Sequence, residues 1–148
     1  MDKQFIALDE SYIPQMTELY KKAFGGEPWN DDWSDEEQLL EYIKEISGGY
    51  RSLNYGLLSE GKLCAVSIGQ IKHWWQGTEY YLDELFVDPD YQGQGIGSAF
   101  LNMIEEDIRK RGLSGIFLQT ENDKPAYGFY KRREFRELKG HVSFFKEI

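Results

Sequence analysis

Leu85-Phe86-Val87-Asp88-Pro89-Asp90-Tyr91-Gln92-Gly93-Gln94-Gly95-Ile96-Gly97-Ser98 is the stretch that decides how the rest of the chain is read. An apolar run leads into three glycines at alternate positions. A pattern with Phe100, Ile104 and Ile108 on one face then predicts a long helix over 95–111, closed by Gly112. Glycines let a backbone come close to a ligand, and a helix start offers unpaired N–H groups and the positive end of the dipole. Strand, glycine loop and helix in this order predict a cradle for a phosphate or pyrophosphate. The dinucleotide fingerprint does not fit, because its third glycine falls on Ser98 or on Phe100, depending on where counting begins. A nucleoside-triphosphate spacing occurs at Gly56 to Lys62, but Leu63 stands where Ser or Thr is needed, and the segment reads as a hairpin turn.

Upstream of this stretch, residues 55–58, 63–75 and 78–87 read as strands joined by Ser59-Glu60-Gly61-Lys62 and by Gln76-Gly77, an antiparallel meander. Earlier still come an opening strand over 5–8 and a helix over 11–24 that ends at Gly25-Gly26. A second helix begins at Ser34, with Glu37 completing a capping box, and carries Leu39, Leu40, Ile43 and Ile46 on one face. Downstream, residues 115–120 read as a strand, 125–133 as a short helix, and 135–145 as two strands around Gly140. The order predicts a mixed α/β (α+β) fold. Val87, the long helix and Ile116 form a right-handed crossover between parallel strands.

The chain has 148 residues, 41% hydrophobic, 16% aromatic and 29% charged, which predicts one ordered domain over 1–148. No stretch approaches the roughly 18 unbroken apolar residues of a membrane span, and Met1-Asp2-Lys3-Gln4-Phe5 lacks the pattern of a secretory signal. Cys64 alone builds no disulfide framework, so a reducing, cytoplasmic setting is expected. A net charge of -9 argues against nucleic acid and for cationic partners. His73 and His141 lie far apart with no cysteine cluster, so no metal site is expected.

Gln92-x-x-Gly95-x-Gly97, set between Leu85-Phe86-Val87 and an amphipathic helix, resembles the acetyl-CoA signature of the GNAT superfamily of N-acetyltransferases. A second segment agrees. Pro125-Ala126-Tyr127-Gly128-Phe129-Tyr130-Lys131-Arg132-Arg133-Glu134-Phe135 is similar to the family's Ala-x-x-Phe-Tyr element and the Phe that follows it. Asp123 stands where the family commonly has Asn, with Asn122 beside it, and Glu134 replaces a usual Gly. The resemblance implies a GNAT fold: a central, mostly antiparallel mixed sheet of six or seven strands, about four flanking helices, and a splayed parallel pair at the cofactor cleft. It implies acetyl-CoA as cosubstrate, with Leu85, Phe86 and Val87 along the pantetheine arm. Gln92, Gly93, Gln94, Gly95, Ile96, Gly97 and Ser98 would lie at the pyrophosphate. Asn122 or Asp123, Tyr127 and Tyr130 would complete that side, and the basic set Arg109, Lys110, Arg111, Lys124, Lys131, Arg132 and Arg133 would supply contacts to the remote phosphate.

By the same resemblance, Tyr130 is the acid that protonates the departing thiolate, with Tyr127 in reserve. Asp83 and Glu84 are the base candidates. Strand alternation puts one of them in the cleft and the other on the opposite side. Two segments are expected to form the acceptor pocket: Glu27, Trp29, Asp31 and Trp33 in the loop between the first two helices, and His73, Trp74 and Trp75 before the hairpin. Acidic groups interleaved with aromatic faces suit a cationic, ring-bearing amine, and some aminoglycoside 6′-N-acetyltransferases carry a similar segment. The reading is thus an N-acetyltransferase of a small cationic amine, an aminoglycoside first. Protein, peptide or polyamine acetylation is the alternative, and a non-catalytic acetyl-CoA-binding module is a third reading. Homodimers are frequent in that family, and the sequence does not decide the oligomeric state.

Overall fold

The computed structural model describes residues 3–148. Five strands, β1 (Lys3–Ala7), β2 (Ser52–Ser59), β3 (Lys62–Trp74), β4 (Gly77–Val87) and β5 (Gly115–Leu118), lie in the order 1-2-3-4-5. The first four pair antiparallel and β5 joins β4 in parallel. Helices α1 (Ile13–Gly25) and α2 (Glu36–Ser47) bury Met16, Leu19, Tyr20, Phe24, Leu39 and Ile43 against Val66, Ile68 and Phe86 of the sheet. Helix α3 (Ile96–Lys110) buries Ile96, Phe100, Ile104 and Ile108 in a second cluster with Tyr80 and Leu82. That four-residue spacing is the apolar stripe read from the sequence. Helix α4 (Pro125–Arg132) follows β5 and starts on a proline, whose missing N–H costs nothing at a helix start. No helix of the described residues is long and apolar enough to cross a membrane.

Two expectations are corrected. Helix α2 begins one residue later than the capping box predicted, because the Asp35 carboxylate accepts from the Gln38 backbone N–H at 3.0 Å, while the Ser34 N–H donates to Asp32. The sheet has five strands, not six or seven, since residues 135–145 form no ladder. The period-two apolar pattern there marks a capacity to pair, and the four-residue β5 offers little edge to pair with. Val142, Phe144 and Phe145 are instead largely exposed.

One irregularity in β4 sets the directions of its side chains. Ile68 pairs with Glu84 and Gly69 with Leu82, so Asp83 is an extra residue with no partner, a β-bulge. The parallel ladder with β5 ends at the same level, at Leu82 and Leu118. Beyond that level, residues 83–87 have no strand on their outer edge. Gly69 lets the kinked backbone pack closely, for a Cβ there would lie 2.7 Å from the Tyr80 ring and from the Tyr81 carbonyl oxygen.

Candidate active site

The floor of the site is the glycine loop. Gly93 and Gly95 hold φ of +79° and +73°, the left-handed region that favours glycine, and a Cβ at either would meet nothing within 4 Å. The loop therefore needs glycine for its path and leaves open space in front. Gly95 caps α3 without any side-chain hydrogen bond, so the first N–H groups of that helix stay available to an anion. A Cβ on Gly97 would stand 3.6 Å from the Phe129 ring and 3.8 Å from Val87, which brings the α3 start, the end of β4 and α4 together. Lys22, on α1, reaches across to this loop, with Nζ 2.8 Å from Asp88 and 2.7 Å from Asp90. It offsets two carboxylates that would otherwise repel an anionic ligand, a partner that 66 to 68 residues of separation hid from sequence reading. A free strand edge, open left-handed glycines and an uncapped helix start fit the phosphate-bearing arm of acetyl-CoA. Of the basic set, Arg109, Lys110 and Arg111 close α3 at the opposite end from Gly95. They lie 14 to 16 positions beyond it along the helix, about 21–24 Å, and Arg111 pairs with Asp107 at 2.7 Å.

The bulge overturns the expectation for Asp83 and Glu84. Tyr80 and Leu82 point into the α3 cluster, whereas Phe86 points to α1 and α2. The extra residue switches the parity, and Glu84 joins the side of Phe86. Its Oε2 accepts hydrogen bonds from the hydroxyls of Tyr42, at 2.5 Å, and Tyr20, at 3.3 Å. Asp83 is not sent to the far face. Its charge bears on Glu84 and Tyr42, and it lies beside Gln70 and Lys72 with Oδ2 buried and without a hydrogen-bond partner. Burial pushes the Glu84 carboxyl up to about 7, with the two tyrosine hydroxyls opposing and the charges of Asp83 and Asp31 assisting. Burial also raises Asp83.

On α4, the Tyr130 ring packs edge-on between Phe129, at 5.3 Å, and Phe135, at 5.2 Å. Burial and then the charge of Glu84 hold its hydroxyl well above the ordinary phenol range. Tyr127 turns instead to the C-terminal segment, its hydroxyl donating to Glu137 at 2.7 Å. Asn122 and Asp123 are both exposed in the loop before α4.

The two acceptor segments do not meet. Trp33 stacks on Tyr42 at 5.7 Å and 19°, and Trp29 packs edge-on against Phe24 at 5.3 Å, so both serve the α1–α2 core. Asp31 is exposed beside them and its charge reaches Glu84, while Glu27 is exposed in the same loop. His73, Trp74 and Trp75 stand exposed at the tip of the β3–β4 hairpin. Trp74 lies six residues along β3 from the partner of Glu84, about 20 Å away. A cleft of about 1570 Å³ follows β5, α4 and the C-terminal segment and includes Trp74, Asn122, Asp123, Tyr127 and Tyr130. Neither the glycine loop nor residues 83–87 line it.

Comparison with known proteins agrees with this geometry. The profile of the acetyltransferase (GNAT) family matches residues 13–135. The [ribosomal protein bS18]-alanine N-acetyltransferase of Escherichia coli K12 is 34% identical over 90 residues, 60% of this chain and 58% of that protein. The chain thus spans little more than half the length of that relative. The crystal structure of the Escherichia coli ribosomal-protein-S18-alanine N-acetyltransferase superposes with a TM-score of 0.72 at 27% identity, covering 92% of this chain and 79% of that one. An aminoglycoside acetyltransferase from an uncultured soil metagenomic sample, in complex with sisomicin, superposes with a TM-score of 0.73 at 19% identity, covering 99% and 96%. The last likeness is one of fold.

Proposed function

The chain belongs to the GNAT family of acetyltransferases, and from that premise we propose that it moves an acetyl group from acetyl-CoA to a primary amine of a small cationic acceptor, an aminoglycoside first. The observation that carries this reading is the bulge. It turns Glu84 to the α1–α2 side of β4, where the charges of Asp83 and Asp31 bear on it and from where its own charge bears on Tyr130 of α4. A carboxyl that titrates near neutrality is matched to taking a proton from an ammonium group, directly or through water. Asp83 and Asp31 add the negative field that draws a cationic amine in.

The cosubstrate supplies the activated acetyl thioester. The free edge of Leu85, Phe86 and Val87 would pair with its arm, and the N–H groups from Gln92 to Ser98 would hold its pyrophosphate. Glu84 passes the ammonium proton on to solvent; as the amine nitrogen then forms its bond to the acetyl carbon and the carbon–sulfur bond breaks, Glu84 takes the second nitrogen proton and Tyr130 gives its own to the departing sulfur. The two groups are coupled in the useful direction. The Glu84 charge raises Tyr130 and keeps it protonated before reaction. Once Glu84 carries a proton that contribution is gone, so Tyr130 becomes the better acid when the thiolate appears. Solvent then returns the proton from Glu84 to Tyr130.

Acetylation of a protein N-terminal amine is the second reading, favoured by the 34% identity to the alanine N-acetyltransferase and by the open cleft along β5 and α4. CoA thiol release from acetyl-CoA, followed with sisomicin, spermidine and an alanine-initiated peptide, separates the readings. Release with sisomicin alone supports the first, and release with the peptide alone replaces it with the second. Glu84→Gln is expected to lower kcat/KM about 10²- to 10⁴-fold. Tyr130→Phe is expected to lower kcat with CoA affinity unchanged. Wild-type turnover in either variant removes that residue from its role.

A further inference from the structure

We propose that Tyr42, backed by Tyr20, is a positioning residue that grips one oxygen of Glu84 and leaves the other directed at the acceptor amine. This rests on Glu84 acting as the base. The two hydroxyls come from different helices, α2 and α1, yet converge on the same atom, Oε2. Among the described residues, Oε1 has no hydrogen-bond partner, and it is not one of the buried unpaired atoms. The carboxylate is thus held from behind and open in front.

The rings that deliver these hydroxyls are fixed by packing. Tyr42 is stacked on Trp33 and meets the Tyr20 ring edge-on at 5.9 Å. Tyr20 is buried against Phe24, at 4.6 Å, and Phe86, at 5.4 Å. Phenylalanine at both positions would satisfy the apolar contacts equally well, so packing does not explain the hydroxyls. Their chemistry does, for a phenol is a neutral donor. It orients a carboxylate and stabilises its charge without supplying a cation, whereas a lysine or arginine in the same place would quench the basicity and compete with the ammonium group. The titratable groups facing Glu84 are Tyr20 from α1, Asp31 from the α1–α2 loop, Tyr42 from α2, Asp83 beside it on β4 and Tyr130 from α4. None of them is a cation. The two hydroxyls are the groups that lower Glu84 against burial and its acidic neighbours.

The proposal is tested on the free protein, without any acceptor, by carbon-13 NMR of glutamate labelled at Cδ. The Glu84 signal is identified by its loss in Glu84→Gln, and its titration is followed in wild type, Tyr42→Phe and Tyr20→Phe. Removing a hydroxyl that favours the charged form must raise the midpoint. Tyr42→Phe is expected to raise it by roughly one pH unit, and Tyr20→Phe by less, since its bond is longer. With sisomicin as acceptor, the rising limb of kcat/KM against pH should move by the same amount, with activity regained at high pH. An unmoved midpoint in folded Tyr42→Phe overturns the proposal, as does an activity loss uniform across pH. If Tyr42→Phe does not fold, Tyr20→Phe decides alone, and an unmoved midpoint there overturns it equally. A shifted midpoint without thiol release from sisomicin would instead count against the acceptor reading and leave the Tyr42–Glu84 pair standing.

Discussion

Burial pushes the Glu84 carboxyl from an ordinary 4.5 up to about 7, against the opposing hydrogen bonds from Tyr42 and Tyr20, so the folded protein holds this proton more tightly than the unfolded chain does. A carboxyl with a raised folded value contributes its stabilisation below about 4.5 and loses it progressively as pH rises through about 7. The shift corresponds to at most about 3–4 kcal/mol. Glu84→Gln removes the titration and keeps the shape. In urea unfolding, the stability of the variant relative to wild type should therefore increase between pH 4.5 and pH 7.5. Parallel curves over that window would show that Glu84 is not held as described. The same substitution is expected to abolish most activity, so stability and function move in opposite directions at one residue, as expected where a group is held in strain for chemistry.

At the scale of elements, two glycines make opposite predictions. Gly69 sits across from the bulge, where an added methyl would press on the Tyr81 carbonyl oxygen and the Tyr80 ring at 2.7 Å. Neither can retreat, since the Tyr80 hydroxyl is fixed by Ser67 and the Leu53 carbonyl. Gly69→Ala should thus destabilise by about 1–3 kcal/mol or more, read as a lower Tm. Gly95→Ala meets no atom within 4 Å and carries only the cost of a left-handed backbone, about 1–2 kcal/mol. Its methyl would project toward the cradle, so its main effect should be weaker acetyl-CoA binding by calorimetry. If Gly95→Ala lost no affinity, the loop would not be the phosphate site. These elements differ in how well the sequence displayed them. The α3 stripe and the glycine spacing are local patterns, legible at a glance. The bulge is not, because counting by twos from Leu85 presumes that no residue is extra. Gly69 inside a strand was the available sign of it. Tyr42, three residues beyond Leu39 on the apolar face of α2, was visible too, but nothing in the sequence says that its hydroxyl meets Glu84. The strands expected over 135–145 failed for the converse reason, since alternation was present and a partner edge was not. Lys22 against Asp88 and Asp90 is a tertiary contact with no local signature at all.

Over the whole molecule, 26 acidic against 17 basic residues give a net charge of -9, and this field acts on the two substrates with opposite sign. On the proposed function, a polycationic acceptor would be drawn in at long range, whereas acetyl-CoA, an anion, would approach against the same field and be held at short range by the N–H groups that the α3 start leaves uncapped. Screening separates the two. The Debye length shrinks from roughly 20 Å near 0.02 M salt to about 4 Å at 0.5 M, so long-range terms vanish while contacts persist. Across that range kcat/KM for sisomicin should fall several-fold, through KM, whereas KM for acetyl-CoA should stay level or decrease. Lys22, which offsets Asp88 and Asp90 in front of the glycine loop, predicts the size of the second effect. Lys22→Gln should raise KM for acetyl-CoA most at low salt and hardly at all at high salt. A peptide carrying one amine and little other charge would show a far smaller salt effect than sisomicin. If both substrates responded to salt in the same direction, a general effect on the protein would be at work, and the acidic surface would have no part in choosing the acceptor.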